Sequence, residues 1–95
     1  MKAITVAVLS FKASAEDVSK YSPDHDEWLF DGFKADKFIA AGRQVSAHGG
    51  VILVRGGDLA IIESMMCTDP FIRHGVAELQ LIPFLPHMLT AGLEY

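Results

Sequence analysis

A chain of 95 residues, 51% hydrophobic and 21% charged, is long enough for one domain with a hydrophobic core and too short for two. The net charge of −4, with no run of Lys or Arg, argues against nucleic acid or an anionic membrane surface as a partner, because both require a basic surface. No apolar stretch approaches the roughly 20 residues of a membrane-spanning helix, so we expect one soluble domain over residues 1–95.

The first apolar segment admits two interpretations. Lys2, the run Ala3–Leu9 and the small residues at 13–15 imitate a secretory signal with its cleavage site. The run alternates and is β-branched rather than Leu-rich, which favours a first strand over residues 2–11. Cys67 is the single cysteine, so no intramolecular disulfide can form and we expect a reducing compartment, the cytoplasm.

The next segment predicts a turn followed by the first helix. Residues 12–22 are polar and predict at most a short helical turn at Ala15–Lys20. Ser22 has the character of an N-cap and Pro23 that of a first helical residue. Asp36, which tolerates the left-handed conformation, predicts the end of this helix. The apolar spacing predicts a buried stripe of Trp28, Leu29, Gly32, Phe33 and Ala35.

Three further segments have the patterns of strands. Phe38–Ala41 predicts a second strand that Gly42 breaks. Val51–Val54 is a continuous apolar run, typical of a strand covered on both faces. Val76–Phe84 alternates between apolar and polar residues and predicts the fourth strand.

Two helix starts lie between the third and fourth strands. Asp58 predicts an N-cap, and Asp69 followed by Pro70 predicts a second cap opening one short turn. Cys67, at the end of the longer helix, is predicted to be buried. The residues expected to face inward from that helix are Leu59, Ile62 and Met66, with Ile61 and Met65 beside them.

The predicted order β-α-β-β-α-β defines an α+β fold, the ferredoxin-like arrangement with a four-stranded antiparallel sheet. Two helices cover only one face of such a sheet, yet the first and third strands are apolar on both faces. The second face therefore needs a cover, and a homodimer supplies the simplest one.

The segments His25–Leu29, Phe38–Gly42, Gly49–Leu53 and the pattern from Asp69-Pro70-Phe71 to Gly75-Val76-Ala77-Glu78 resemble the YCII-like (YciI-related) family over about residues 1–85. The resemblance implies a dimeric α+β barrel, similar in fold to muconolactone isomerases and small cofactor-free monooxygenases. It also implies a catalytic pair of His25 and Asp69 and no cofactor. The chain departs from the family where Gly42 is followed by Arg43, because relatives commonly have Gly-Pro there.

Each candidate site residue also has a purely structural interpretation. His25 can be a general base or an ordinary first-turn residue, since the helix dipole and the neighbouring acids bias its charge in opposite directions. Asp69 can orient His25, cap a helix, or do both. Arg43 and His48 flank a loop that is either solvated or borders a pocket, where Arg43 could bind a carboxylate or enolate oxygen. The four His are scattered and make no metal motif, so no metal site is predicted.

The favoured function is a small cofactor-free enzyme of the lyase or isomerase type. His25 would move a proton next to a carbonyl of a small cyclic or aromatic compound, and Asp69 would orient it. Arg43, His48 and Trp28 would contact the substrate. One alternative is a non-catalytic module that binds a small ligand or serves a neighbouring enzyme. Another is a cofactor-free monooxygenase in which Trp28 and the Phe residues line an oxygen pocket.

Overall fold

The structure is a computed structural model that describes residues 2–93. Its sheet is antiparallel, with the strand order β2-β3-β1-β4, which confirms the predicted ferredoxin-like α+β fold. The elements in chain order are β1 Ile4–Phe11, α1 Ala15–Lys34, β2 Phe38–Arg43, β3 Gly49–Arg55, α2 Leu59–Met66, α3 Pro70–Arg73 and β4 Ala77–Phe84.

The N-terminal apolar run forms a central strand of this sheet. β1 pairs along its length with β3 on one side and β4 on the other. The prediction of a strand is therefore confirmed, although it begins at Ile4 rather than at residue 2. No helix among residues 2–93 has both the length and the apolarity that a membrane span requires.

The predicted start of the first helix is wrong by eight residues. α1 begins at Ala15, and the N-cap is Ser14, whose hydroxyl accepts a hydrogen bond from the Asp17 N–H. Ser22 and Pro23 lie inside the helix, where the Ser22 hydroxyl donates to the Val18 carbonyl at 2.8 Å. An interior proline costs about 3 kcal/mol.

The first two turns of α1 form despite this cost because they pack on the core. The side chains of Val18 and Tyr21 are partly buried against the main hydrophobic cluster. Tertiary packing of this kind commonly outweighs local propensity. The far end of the helix follows the prediction, since Asp36 adopts the left-handed conformation with a φ of 59°.

β2 and β3 extend beyond their predicted ends, whereas β4 ends at Phe84 as predicted. β2 runs on through Gly42 to Arg43, because these residues pair with Val51 and Gly50 of β3. β4 runs through Pro83, which is tolerated because β4 is an edge strand and the missing N–H faces no partner strand.

The second helix follows its predicted cap but buries fewer residues than expected. Asp58 accepts hydrogen bonds from two backbone N–H groups of the first turn, and Ile62 and Met66 are buried. Leu59 and Ile61 are exposed, contrary to the prediction, because an eight-residue helix offers the sheet only a narrow stripe. Cys67 is also exposed, since it lies past the last buried turn as the C-cap.

The main hydrophobic cluster lies on one face of the sheet. Side chains of Ala7, Leu9, Ile52 and Val54 point to that face and form one cluster with residues of all three helices. The opposite face is apolar too, as predicted, but no element within residues 2–93 is packed on it as part of the core cluster. This open face carries the buried Ile4, the half-buried Val6, Val8, Val51 and Leu53, and the exposed Ile82 and Phe84.

Candidate active site

A cavity of about 560 Å³ lies between α1 and the β2–β3 side of the sheet. Small residues of β2 and β3 leave this space between the sheet and α1. Ala41, Gly42, Gly49 and Gly50 lie along its wall, and none of them reaches the helix. A volume of this size fits a small organic molecule.

The loop that closes one end of the cavity, residues 44–48, is held at both ends. The Gln44 amide donates to the carbonyls of Leu9 and Gly50 at 3.1 and 3.3 Å. At the other end the Phe11 N–H donates to the His48 carbonyl at 3.0 Å. Gly49 is required beside it, because a Cβ there would collide with the Leu9 carbonyl oxygen.

His25 and Asp69 meet although 44 residues separate them. Asp69 caps α3, and His25 lies on the cavity-facing side of α1, which packs on α3. The His25 Nδ1 lies 2.7 Å from Asp69 Oδ1, a short distance typical of a charge-assisted hydrogen bond. The His25 side chain is 14% exposed and the Asp69 side chain 0%.

Asp69 performs its capping role with the same oxygen that binds His25. Oδ1 also accepts the Phe71 N–H at 3.1 Å, whereas the buried Oδ2 has no hydrogen-bond partner among the described residues. No Lys or Arg of residues 2–93 pairs with this carboxylate. Its negative charge therefore acts mainly on the imidazole, since no other cationic group competes for it.

The hydrogen bond also determines which nitrogen of His25 is available to a ligand. An ionised carboxylate only accepts hydrogen bonds, so Nδ1 carries the proton when the ring is neutral. Nε2 is then the basic nitrogen, on a ring that lines the cavity. This arrangement permits proton transfer by a positioned base.

Two phenylalanines form an aromatic wall from His25 to the loop. The His25 ring stacks on Phe71, with centroids 4.1 Å apart and planes inclined by 21°. Phe71 meets Phe11 edge to face at 5.2 Å, and Phe11 meets His48 in the same way at 4.9 Å. Phe11 and Phe71 both line the cavity and together form this aromatic wall.

Arg43 and His48 both line the cavity. The rings of Phe11 and Phe71 lie between His48 and His25, and Arg43 directly precedes the loop. Arg43 pairs in register with Gly50, so its side chain lies on the helix-bearing face of the sheet. Within residues 2–93 its guanidinium forms no ion pair. The structure thus brings His25, Arg43 and His48 to one cavity, with Asp69 directly behind His25.

Trp28 does not line this cavity. Its indole N–H donates to the Thr68 hydroxyl at 2.8 Å, and its ring borders a separate, smaller space of about 130 Å³. The Trp28 and His25 ring centroids are 6.0 Å apart. Trp28 therefore packs behind the site, on the same side as Asp69.

Sequence reasoning did not single out Phe11, Phe71 or Gln44, although the monooxygenase alternative placed the Phe residues as a group in a pocket wall. Phe71 belongs to the Asp-Pro-Phe motif, and its place directly after the cap could have indicated that it would lie against His25. Phe11 lies two residues after the buried Leu9, so strand alternation puts both on the same face. Gln44 carried no signal, because its role depends on a carbonyl in a strand 35 residues earlier.

Comparison with known families identifies the family of this chain. The family model described as the YCII-related domain matches residues 4–85, nearly the whole chain. The chain therefore belongs to the YCII-related family, as the sequence resemblance predicted. A search of curated proteins finds no match to it. Within the described residues no group of three or more His, Cys, Asp and Glu is arranged to hold a metal ion.

Proposed function

We propose that the protein is a small cofactor-free enzyme of the lyase or isomerase type, which transfers a proton on a small cyclic or aromatic carbonyl compound. The observation that carries the proposal is the hydrogen bond between a cavity-lining imidazole and a fully buried carboxylate. Such a pair is costly to bury unless its members satisfy each other, and it leaves one basic nitrogen for chemistry.

The reaction begins when His25 Nε2 takes a proton from the carbon next to the substrate carbonyl. The electron pair of the broken C–H bond moves into the carbonyl and gives an enolate. In an isomerase the imidazolium returns the proton to a different carbon; in a lyase the enolate electrons expel a leaving group from the adjacent carbon. Asp69 stabilises the positive charge that develops on His25 during this step.

Hydrogen exchange at carbon tests the proposal without knowledge of the natural substrate. The protein would be incubated in D2O with cyclic and aromatic ketones small enough for the cavity, and deuterium uptake next to the carbonyl followed by NMR. We expect at least one compound to exchange faster than in buffer, because deprotonation is the step that His25 catalyses.

The matched control for His25→Ala is His87→Ala, which removes an exposed imidazole. His25→Ala should abolish the catalysed exchange, whereas His87→Ala should retain it. Exchange that survives in His25→Ala contradicts the proposal, as does the absence of catalysed exchange across the set. A set member that binds without exchange would instead support a ligand-binding module.

The position of Trp28 weakens the monooxygenase alternative, since that function was expected to use Trp28 in the wall of an oxygen pocket. Trp28 contributes to a separate space instead. Arg43 and His48 keep their proposed role in substrate binding, because both line the cavity.

We also propose that a second copy of the chain covers the open face of the sheet and that the protein acts in the cytoplasm. The first proposal is supported by the apolar residues of that face, which water would otherwise contact. The second is supported by the single, exposed Cys67, which suits a reducing compartment. No partner other than this second copy and a small ligand is proposed.

A further inference from the structure

The charges around the cavity are distributed unevenly. Arg43 is the single permanent cation among the described residues that line it, and it lies at the loop end. Asp26 lines the α1 side, and Asp69 lies behind His25 at the opposite end from Arg43. A negative group on a ligand is therefore attracted to the loop end and repelled from the His25 end.

The loop end is also prepared to receive such a group. The Arg43 guanidinium forms no ion pair within residues 2–93, so its fork of N–H donors is available. His48 is fixed beside it, because its carbonyl binds the Phe11 N–H and its ring packs on the Phe11 ring. Gly50 pairs with Arg43 in the sheet and has no side chain that would occupy the space beside the guanidinium.

The region between the two ends suits a flat, apolar body. The aromatic wall of Phe11 and Phe71 runs from His48 to His25, and Leu9, Leu29 and Ile52 line other parts of the cavity. Aromatic rings pack favourably on one another in offset or edge-to-face arrangements. A planar ring can therefore contact this wall while its substituents reach both ends.

We propose that the substrate is a carboxylic acid with a planar, conjugated ring and a ketone carbonyl, bound with its carboxylate at Arg43 and His48 and the C–H carbon next to the ketone at His25. The orientation follows from the charges, and the class follows from the wall and the unpaired guanidinium. This inference rests on the proposed function for the role of His25, but the binding of the acid does not require catalysis.

Binding of two probes of nearly equal shape tests the inference. Benzoate and benzamide would be titrated into the protein and followed by NMR chemical-shift changes of backbone amides. Arg43 is exposed, so the dissociation constant of benzoate should be lower than that of benzamide by about threefold to fivefold, the size of an exposed ion pair. The largest shifts should occur at residues 42–50.

Two variants test whether Arg43 causes the preference for benzoate over benzamide. Arg43→Gln should remove the preference for benzoate, whereas Lys12→Ala should preserve it, because Lys12 is a cation outside the cavity whose ammonium lies near Glu78. Raising the salt concentration should weaken benzoate more than benzamide.

The inference is overturned if benzamide binds as tightly as benzoate, if neither probe shifts residues that line the cavity, or if Lys12→Ala and Arg43→Gln have equal effects. His25→Ala separates this outcome from a failure of the proposed function. That variant should still bind benzoate in preference to benzamide, and its loss of deuterium exchange is measured independently.

Discussion

The single residue Asp69 has two roles, and these roles predict different effects for Asp69→Asn and Asp69→Ala. The carboxylate accepts the Phe71 N–H as a helix cap and holds the His25 ring. Asparagine retains an acceptor oxygen for the cap, and it is among the best N-cap residues. It lacks the negative charge, so it cannot stabilise an imidazolium as aspartate does.

Asp69→Asn should therefore lower the rate of catalysed exchange by about 10- to 100-fold, the value of one hydrogen bond to a charged group. Its thermal unfolding should change less than that of Asp69→Ala, because the acceptor of the helix cap is retained. Asp69→Ala should in addition lose the cap and destabilise the fold by about 1 to 3 kcal/mol, because it leaves a buried N–H unpaired. Equal rates in wild type and Asp69→Asn would contradict the role assigned to the charge.

The pairing of His25 with Asp69 could be expected from the family resemblance but not from the spacing of the two residues. They come together because α1 packs against the short α3. The part of the site that sequence patterns alone did not predict is the aromatic wall, which depends on how the Phe11 and Phe71 rings meet across elements.

The first helix provides the clearest difference between local signals and the structure at the scale of elements. Ser22-Pro23 has the local character of a helix start, yet the chain begins its helix at Ser14 because residues 18 and 21 pack on the core. A cap signal depends on neighbours in sequence, whereas the choice between two caps depends on tertiary contacts. Asp58 and Asp69 were predicted correctly because each is the single strong cap before its helix.

Alanine substitution distinguishes the two candidate caps of α1. Ser14→Ala should lower the free energy of unfolding by about 1 kcal/mol, because it leaves the Asp17 N–H without its acceptor. Ser22→Ala should have a much smaller effect, since alanine is favoured in a helix interior. Urea denaturation of both variants measures the difference. A larger loss for Ser22→Ala would place the helix start where the local pattern suggested.

At the scale of the whole molecule, the order of elements and the apolar character of both sheet faces could be predicted from alternation and turn residues. These depend on the period of the pattern, which a single sequence contains. The pattern does not identify what covers the open face, because proteins with equally apolar faces cover them in different ways.

Substitution on the open face tests the proposed homodimer. The wild-type protein should sediment as a dimer at micromolar concentration, and Leu53→Lys should shift it to a monomer by placing a charge at the centre of the contact. Ile82→Lys, at a side chain already 45% exposed, should do the same with less risk to the fold. Circular dichroism would verify that both variants remain folded.

Phe30→Lys is the control for these variants, because Phe30 is 63% exposed on α1, away from the open face. It should leave the dimer intact. A wild-type protein that sediments as a monomer would contradict the proposal, and so would a dimer that persists in both Leu53→Lys and Ile82→Lys.

The central claim is that Asp69 fixes His25 with Nδ1 protonated and Nε2 free to act as a base. A long-range ¹H–¹⁵N correlation spectrum, recorded at a pH where the ring is neutral, reports the tautomer directly. We expect the Nδ1–H tautomer in the wild-type protein and its loss in Asp69→Ala. An Nε2–H tautomer in the wild-type protein, or a spectrum of His25 that Asp69→Ala leaves unchanged, would contradict it.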